Sequence, residues 1–142
     1  VETSIGLDRM FLAILSNSLV NEDLENDTNR IVLKLPIFLA PYKAAILPLV
    51  KKDGLSELSR EIFNKLKLSL NITFDEKDAV GRRYRRQDAI GTPFCITVDH
   101  QSKEDNCVTV RNRDSMQQDR IAIVELEKFL LEKVSFKPFL NK

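Results

Sequence analysis

Lys43-Ala44-Ala45-Ile46-Leu47 is a short apolar run closed by Pro48. It has no polar position to turn toward water, so it fits a strand covered on both faces. The residues that follow alternate in kind. A helix starts at Asp53-Gly54 and carries Leu55, Leu58, Ile62 and Leu66 on one side. Asn71 to Asp75 reads as a second strand. Asp78 can cap a helix over 79–90, and Gly91 suits its C-terminal stop. Phe94 to Val98 is a third strand, and Cys107 to Arg111 a fourth. The polar stretch 99–106 between them makes these two a hairpin. Gln117 to Ile123 is a fifth strand, and Val124 to Val134 a last helix. The order is β-α-β-α-β-β-β-α. The expected class is therefore α/β, with a sheet mainly parallel at first and then extended by an antiparallel hairpin.

The first forty residues read differently. Residues 5–20 have helical spacing, with Leu7, Met10, Phe11, Ile14, Leu15 and Leu19 covering more than a narrow stripe. Such a helix wants cover on more than one side. Ser4 can cap it, and Asp8 suits the positive end of its dipole. Asn21 to Arg30 is polar, with four acidic residues and three asparagines, and is expected to be a linker. Ile31 to Pro41 is apolar but broken by Pro36 and Pro41, so it reads as an extended lead-in. The expected division is a segment 1–20, a linker and lead-in 21–41, and a domain 42–142. The chain opens at Val1 instead of a methionine and is expected to be a piece of something longer.

Arginine marks the candidate functional surface. Arg82, Arg83, Arg85 and Arg86 fall within five positions, and Arg111 and Arg113 follow. The planar guanidinium fits phosphates and base edges and stacks on flat rings. The alternatives are a nucleic-acid surface and a solvated basic helix. Net charge is only +1, so any polyanion must be held by a local patch. Arg82, Arg85 and Arg86 share a helix face and are expected to hold phosphates, unless one pairs with Asp75 or Asp88.

Other chemistries find little support. Cys95 and Cys107 lack metal-ligand spacing and read as reduced thiols of a cytosolic protein, and His100 reads as an exposed loop residue. No metal site, Gly-rich phosphate loop or catalytic triad is found. No apolar run approaches the roughly 20 residues that span a bilayer. Neither a membrane nor DNA is an expected partner.

Several stretches resemble one family. Val1-Glu2-Thr3-Ser4-Ile5-Gly6-Leu7-Asp8-Arg9 looks like motif 3 of homodimeric class II glycyl-tRNA synthetases. Val32 to Pro36, Ala40 to Lys43 and Leu47 to Leu49 look like the entry to that family's C-terminal anticodon-binding domain. Gly81 to Thr97 and Arg111 to Met116 are similar to that domain's most recognisable stretches. The resemblance implies the five-stranded mixed sheet of that domain, flanked by helices and preceded by one helix left from the catalytic domain. It implies a cytoplasmic parent enzyme that joins glycine to tRNA-Gly using ATP and Mg²⁺. It implies that Arg9 contacts ATP there, and that Glu2 and Ser4 line the glycine pocket. Thr3 stands where the family usually has proline. Motifs 1 and 2 are absent, so the chain alone is expected to hold no complete catalytic set, to need no cofactor and to form no glycyl-adenylate. The alternative is a non-catalytic accessory protein of the same fold, such as the processivity subunit of mitochondrial DNA polymerase.

Glycine codons begin GG, so the tRNA must show cytosines at the second and third anticodon positions. Cytosine offers one donor and two acceptors on its pairing edge, which calls for a carboxylate or amide oxygen beside an arginine. Arg111, Asn112, Arg113 and Asp114 supply both kinds and are the expected base readers. Phe94 is the expected stacking face, unless its alternation with Ile96 and Val98 makes it core. For Arg111 and Arg113 the alternative is a turn-stabilising pair with Asp114.

Overall fold

Strand β3 (Ala44–Pro48) is buried at every position and sits inside the sheet, as its apolar run requires. The computed structural model describes residues 3–24 and 28–140. They begin with helix α1 (Leu7–Ser18), strand β1 (Leu19–Leu24), strand β2 (Thr28–Leu33) and a short 3₁₀ turn, Ile37–Leu39. After β3 come α2 (Leu55–Leu66), β4 (Ile72–Phe74), α3 (Val80–Ala89) and β5 (Phe94–Val98). The chain goes on through a short α4 (Ser102–Asp105), β6 (Cys107–Asn112), β7 (Gln118–Ala122), α5 (Leu126–Val134) and a last turn, α6 (Lys137–Leu140).

The five-stranded sheet runs β4-β3-β5-β6-β7. β3 pairs in parallel with both β4 and β5, and β6 and β7 continue antiparallel. This is the mixed sheet expected from the strand–helix alternation. Period-2 alternation divides each strand between two layers. Ala44 and Ile46 of β3, Phe94, Ile96 and Val98 of β5, and Val108 and Val110 of β6 face α2 and α5. They pack there on Leu55, Ile62, Leu66, Leu126 and Leu130. Ala45, Leu47 and Cys95 face the other way, toward Tyr84 of α3. Cys95 is 1% exposed, and burial, with Asp88 nearby, pushes its thiol up to about 12. Both cysteines are free. No described helix is long and apolar enough to cross a membrane.

Two N-terminal expectations change. α1 has Gly6 at its N-cap, and no side chain, Ser4 included, caps it. Its cover is partial: Leu7 is 73% exposed and Phe11 63%, while Ile14 and Leu15 are half-buried. The expected linker is instead an antiparallel hairpin. β1 pairs with β2 from Leu19↔Leu33 to Leu24↔Thr28, around residues 25–27, which lie outside the described set. Composition misled because the polar residues have partners. Glu22 sits directly across from Arg30 and accepts from its Nε at 2.7 Å. An opposite-charge pair at that position stabilises a ladder, while Val32 beside it is fully buried.

Gly91 ends α3 with φ +82°, as its position after the helix implied. A Cβ there would lie 3.0 Å from the Leu33 carbonyl oxygen of β2. Gly91→Ala therefore meets both a left-handed backbone and a backbone wall. We expect it to lower stability by about 1–2 kcal/mol, read as a lower midpoint in urea unfolding. An unchanged midpoint would mean that β2 is not seated against this turn.

Candidate nucleic-acid interface

α3 is built to carry arginines in two ways. Every third or fourth residue turns inward, which buries Arg83, Gln87 and Asp88 and leaves Arg82 and Arg85 exposed. Arg83 is 3% exposed. It donates to the Pro48 carbonyl at the end of β3, and to the Asp78 carbonyl from Nε at 2.9 Å and Nη2 at 2.6 Å. It satisfies the loop before the helix in place of the expected Asp78 cap, which does not form. Arg86 pairs with Asp75 and with Asp78, at 2.8 Å each. Those two carboxylates, Asp75 foremost, raise its pKa, and Arg86 holds the Asp78 carboxyl below its usual range. The expectation that Arg86 holds phosphate thus meets a guanidinium already engaged, and the internal pairing with Asp75 is what the structure has. Among the described residues Arg82 and Arg85 form no ion pair, so they are the arginines of this helix turned to solvent.

The strand-end quartet does not converge. Arg111 and Arg113 point to one side and Asn112 to the other, as strand alternation requires. Arg111 is 7% exposed and gives both Nη atoms to Asp88, at 2.9 and 3.1 Å. Its guanidinium lies over the Tyr84 ring, 4.8 Å from the centroid. Burial is the largest single influence and opposes its charge, but the hydrogen bonds to Asp88 and the Asp88 charge, with Cys95 and Tyr84, together outweigh it, so its pKa lies above the ordinary value. Arg113 is 2% exposed. It donates to the carbonyls of Leu33, Leu35 and Gly91 at 2.8–3.0 Å and holds Asp114 at 2.8 and 3.0 Å. It is a bolt between β2 and the sheet, and its pair with Asp114 is the expected alternative. The Asn112 Oδ1 accepts the N–H groups of Asp114 and Ser115, closing the β6–β7 turn. Phe94 is 3% exposed and meets Phe129 edge to face at 5.9 Å. Its alternation with Ile96 and Val98 has made it core, and it presents no face for a base to stack on. Ser4 and Arg9 are exposed at the start of α1, and Glu2 lies outside the described residues.

What the structure does bring together is a polar sheet face beside α3. Tyr84 stands at its edge, its hydroxyl 2.6 Å from Thr97 Oγ1. Next come Arg111 and Thr109 on β6, then Gln118 and Arg120 opposite them on β7. Arg120 is clamped by Asp99 and Asp105 at 2.9 and 2.7 Å. Beneath this face lies Asp88, 1% exposed. It is held by Arg111 and, at 2.9 Å, by Arg30 of the hairpin. Arg30 is a neighbour of this face that composition hid, since it looked like the end of a polar linker. The readable signal was the run Arg30-Ile31-Val32-Leu33, in which a lone charge alternates with a core valine. The face thus combines an aromatic ring, strand hydroxyls and two arginines, each of them already paired with a carboxylate.

A family model described as "Anticodon binding domain" matches residues 43–133. Glycine–tRNA ligase of Alkaliphilus metalliredigens is 53% identical over 136 residues, covering 96% of this chain and 29% of its own length. The Bacillus anthracis glycine–tRNA ligase is 54% identical over the same shares. The chain thus spans less than a third of these relatives. Among solved structures, the RNA binding domain of threonyl-tRNA synthetase from Cryptosporidium parvum superposes with a TM-score of 0.64 at 18% identity. It covers 70% of this chain and 25% of that one. Prolyl-tRNA synthetase from the same organism gives 0.61 at 26% identity, covering 72% and 23%.

Removing a buried carboxylate that serves two arginines strands both. Asp88→Ala should destabilise the chain by about 3–5 kcal/mol, whereas Asp114→Ala, which removes a half-exposed carboxylate from an Arg113 that keeps its three carbonyl acceptors, should cost less. Urea unfolding of both variants checks this, and equal losses would contradict the central place given to Asp88.

Proposed function

Because this chain belongs to the anticodon-binding domain family, we propose that it binds the anticodon arm of tRNA-Gly, as part of a longer protein that attaches glycine to that tRNA. The observation that carries this reading is 53% identity to a glycine–tRNA ligase over 96% of the chain. In this reading the longer protein uses ATP and Mg²⁺, works in the cytoplasm and pairs as a homodimer. Relatives named as ligases do not favour the accessory-protein alternative. Ser4 and Arg9 would be what remains of an ATP and glycine site. Lying exposed on and before α1, they do not make one by themselves, so no step of the ligation is assigned to this chain. An ATP–pyrophosphate exchange assay of the chain should read at the buffer blank. Activity above it would overturn that assignment.

Recognition divides between two groups. Arg82 and Arg85 meet phosphates, which gives affinity without sequence choice. Arg111, at the Tyr84 edge of the open sheet face, meets a base, with Asn112, Arg113 and Asp114 shaping the strand end that presents it. Arg85→Ala should weaken binding of any tRNA alike and flatten the salt dependence by about one phosphate. Its thermal stability should stay unchanged. Arg86→Ala should do the reverse, lowering thermal stability while leaving the salt slope. Arg111→Ala should cost roughly 1–3 kcal/mol for tRNA-Gly and much less for a tRNA whose anticodon cytosines are replaced. Filter-binding titrations against both RNAs measure this, and equal losses would assign Arg111 to the backbone.

A further inference from the structure

Four ion pairs join five side chains into one chain of charges below the open sheet face. Lys34 and Arg30 share Glu22, and Arg30 and Arg111 share Asp88. Three cations therefore face two anions. Arg113 adds nothing to the balance, because Asp114 neutralises it. The two arginines on Asp88 are not equivalent. Arg30 is tied three ways: to Glu22, to Asp88 and, at 3.1 Å, to the Arg113 carbonyl. Arg111 bonds Asp88 and otherwise rests on the Tyr84 ring at the edge of the open face. With Arg111 withdrawn, two cations and two anions remain, and Asp88 keeps Arg30 at 2.9 Å. With Arg30 withdrawn instead, three attachments break at once, Glu22 is left with Lys34 alone and Asp88 depends wholly on Arg111. A buried charge stripped of its counter-ion is strongly unfavourable, whereas one that keeps a counter-ion is tolerated.

We propose that Arg111 leaves Asp88 when RNA binds, and that Arg30 stays behind as the counter-ion that makes this release possible. Arg30 is thus a positioning residue for an RNA it does not touch. The proposal rests on the anticodon-binding reading above. It also resolves how an arginine whose two Nη atoms are both taken can read anything: its fork is stored on Asp88 and becomes free on exchange. The groups facing Asp88 and Arg111 are Arg30 from β2, Tyr84 from α3 and Cys95 from β5, with Glu22 and Lys34 one pair further out. None of these supplies a second anion for Arg111, so its new partner is an oxygen acceptor of the RNA, either a base keto oxygen or a phosphate.

The test follows the arginine Nε–Hε signals of the 142-residue chain by NMR during titration with a synthetic anticodon stem-loop RNA carrying the two cytosines. The Arg111 signal should move strongly while that of Arg30 stays near its place. Arg30→Met should weaken RNA binding roughly tenfold, since release then leaves Asp88 unpaired. Arg30→Lys should recover most of the loss. In an Asp88→Asn background the Arg30→Met effect should disappear, which a merely structural arginine would not show. A stem-loop with abasic residues in place of the cytosines, which keeps the phosphates and removes the base oxygens, separates the acceptors. Movement of Arg111 with the cytosine RNA alone assigns it to a base, and movement with both assigns it to phosphate; either result supports release. An Arg111 signal unmoved at saturating RNA overturns the proposal even if the Arg30 variant does not fold. So does a folded Arg30→Met chain with unchanged affinity. RNA that fails to bind the unaltered chain overturns the anticodon-binding reading and this proposal together, whereas binding with a still Arg111 overturns this proposal alone.

Discussion

A single buried carboxylate sets the terms for the rest of this molecule. Asp88 sits at the end of α3 and binds one arginine from the N-terminal hairpin and one from the sheet. Hydrophobic burial can hold a helix on a sheet in many rotations, because it is non-directional. A carboxylate with two guanidiniums at 2.9 Å cannot be satisfied in more than one. The cluster therefore fixes where β2 lies against α3, and it fixes how the Arg111 plane meets Tyr84. Oily packing supplies most of the cohesion, through two unequal layers. The ion pairs decide which of the many packable arrangements is the native one. A buried pair is a poor source of net stability, so its role here is specificity of arrangement.

Much of the sheet was legible in the residues because periodicity reports burial directly. Phe94, Ile96 and Val98 alternate because one face of β5 meets α2 and α5, and the two-sided burial of β3 erased alternation there. The hairpin β1–β2 was not legible, since Glu22 and Arg30 read as surface residues until their partner across the ladder is known. The arginines were legible as a group and not as individuals. Spacing placed Arg82, Arg85 and Arg86 on one side of α3 and offered Asp75 as a possible partner for one of them, but it could not say that the one is Arg86 or that Asp78 joins. Likewise Arg111 and Arg113 look alike in sequence, yet strand twist and the β6–β7 turn send one to Asp88 and the other to three carbonyls. Side-chain partners far apart in sequence are what a local reading cannot supply.

The division of arginines has a functional logic. Arg83, Arg86 and Arg113 hold loops and strand ends in place. Among the described residues, Arg82 and Arg85 offer unpaired charge to solvent. Arg111 lies between these classes, ordered by Asp88 and Tyr84 yet next to an open strand face. A preorganised donor loses less freedom on meeting its ligand than a solvated one. With a net charge of +1 for the whole chain, the proposed binding would rest on this placement and not on bulk electrostatics.

Arg113 carries a different lesson. Outside its neighbour Asp114, every acceptor it uses is a main-chain oxygen, on Leu33, Leu35 and Gly91. A carbonyl presents the same oxygen whatever side chain the residue bears. Substitutions at positions 33 and 35 can thus pass without any answering change at 113, so long as the backbone keeps its course. Paired substitutions across homologous chains would then leave no statistical trace of the contact that bolts the hairpin to the sheet. Methods that infer proximity from correlated change would under-report this junction, even though the residues on its two sides are separated by some eighty positions and meet within hydrogen-bonding distance.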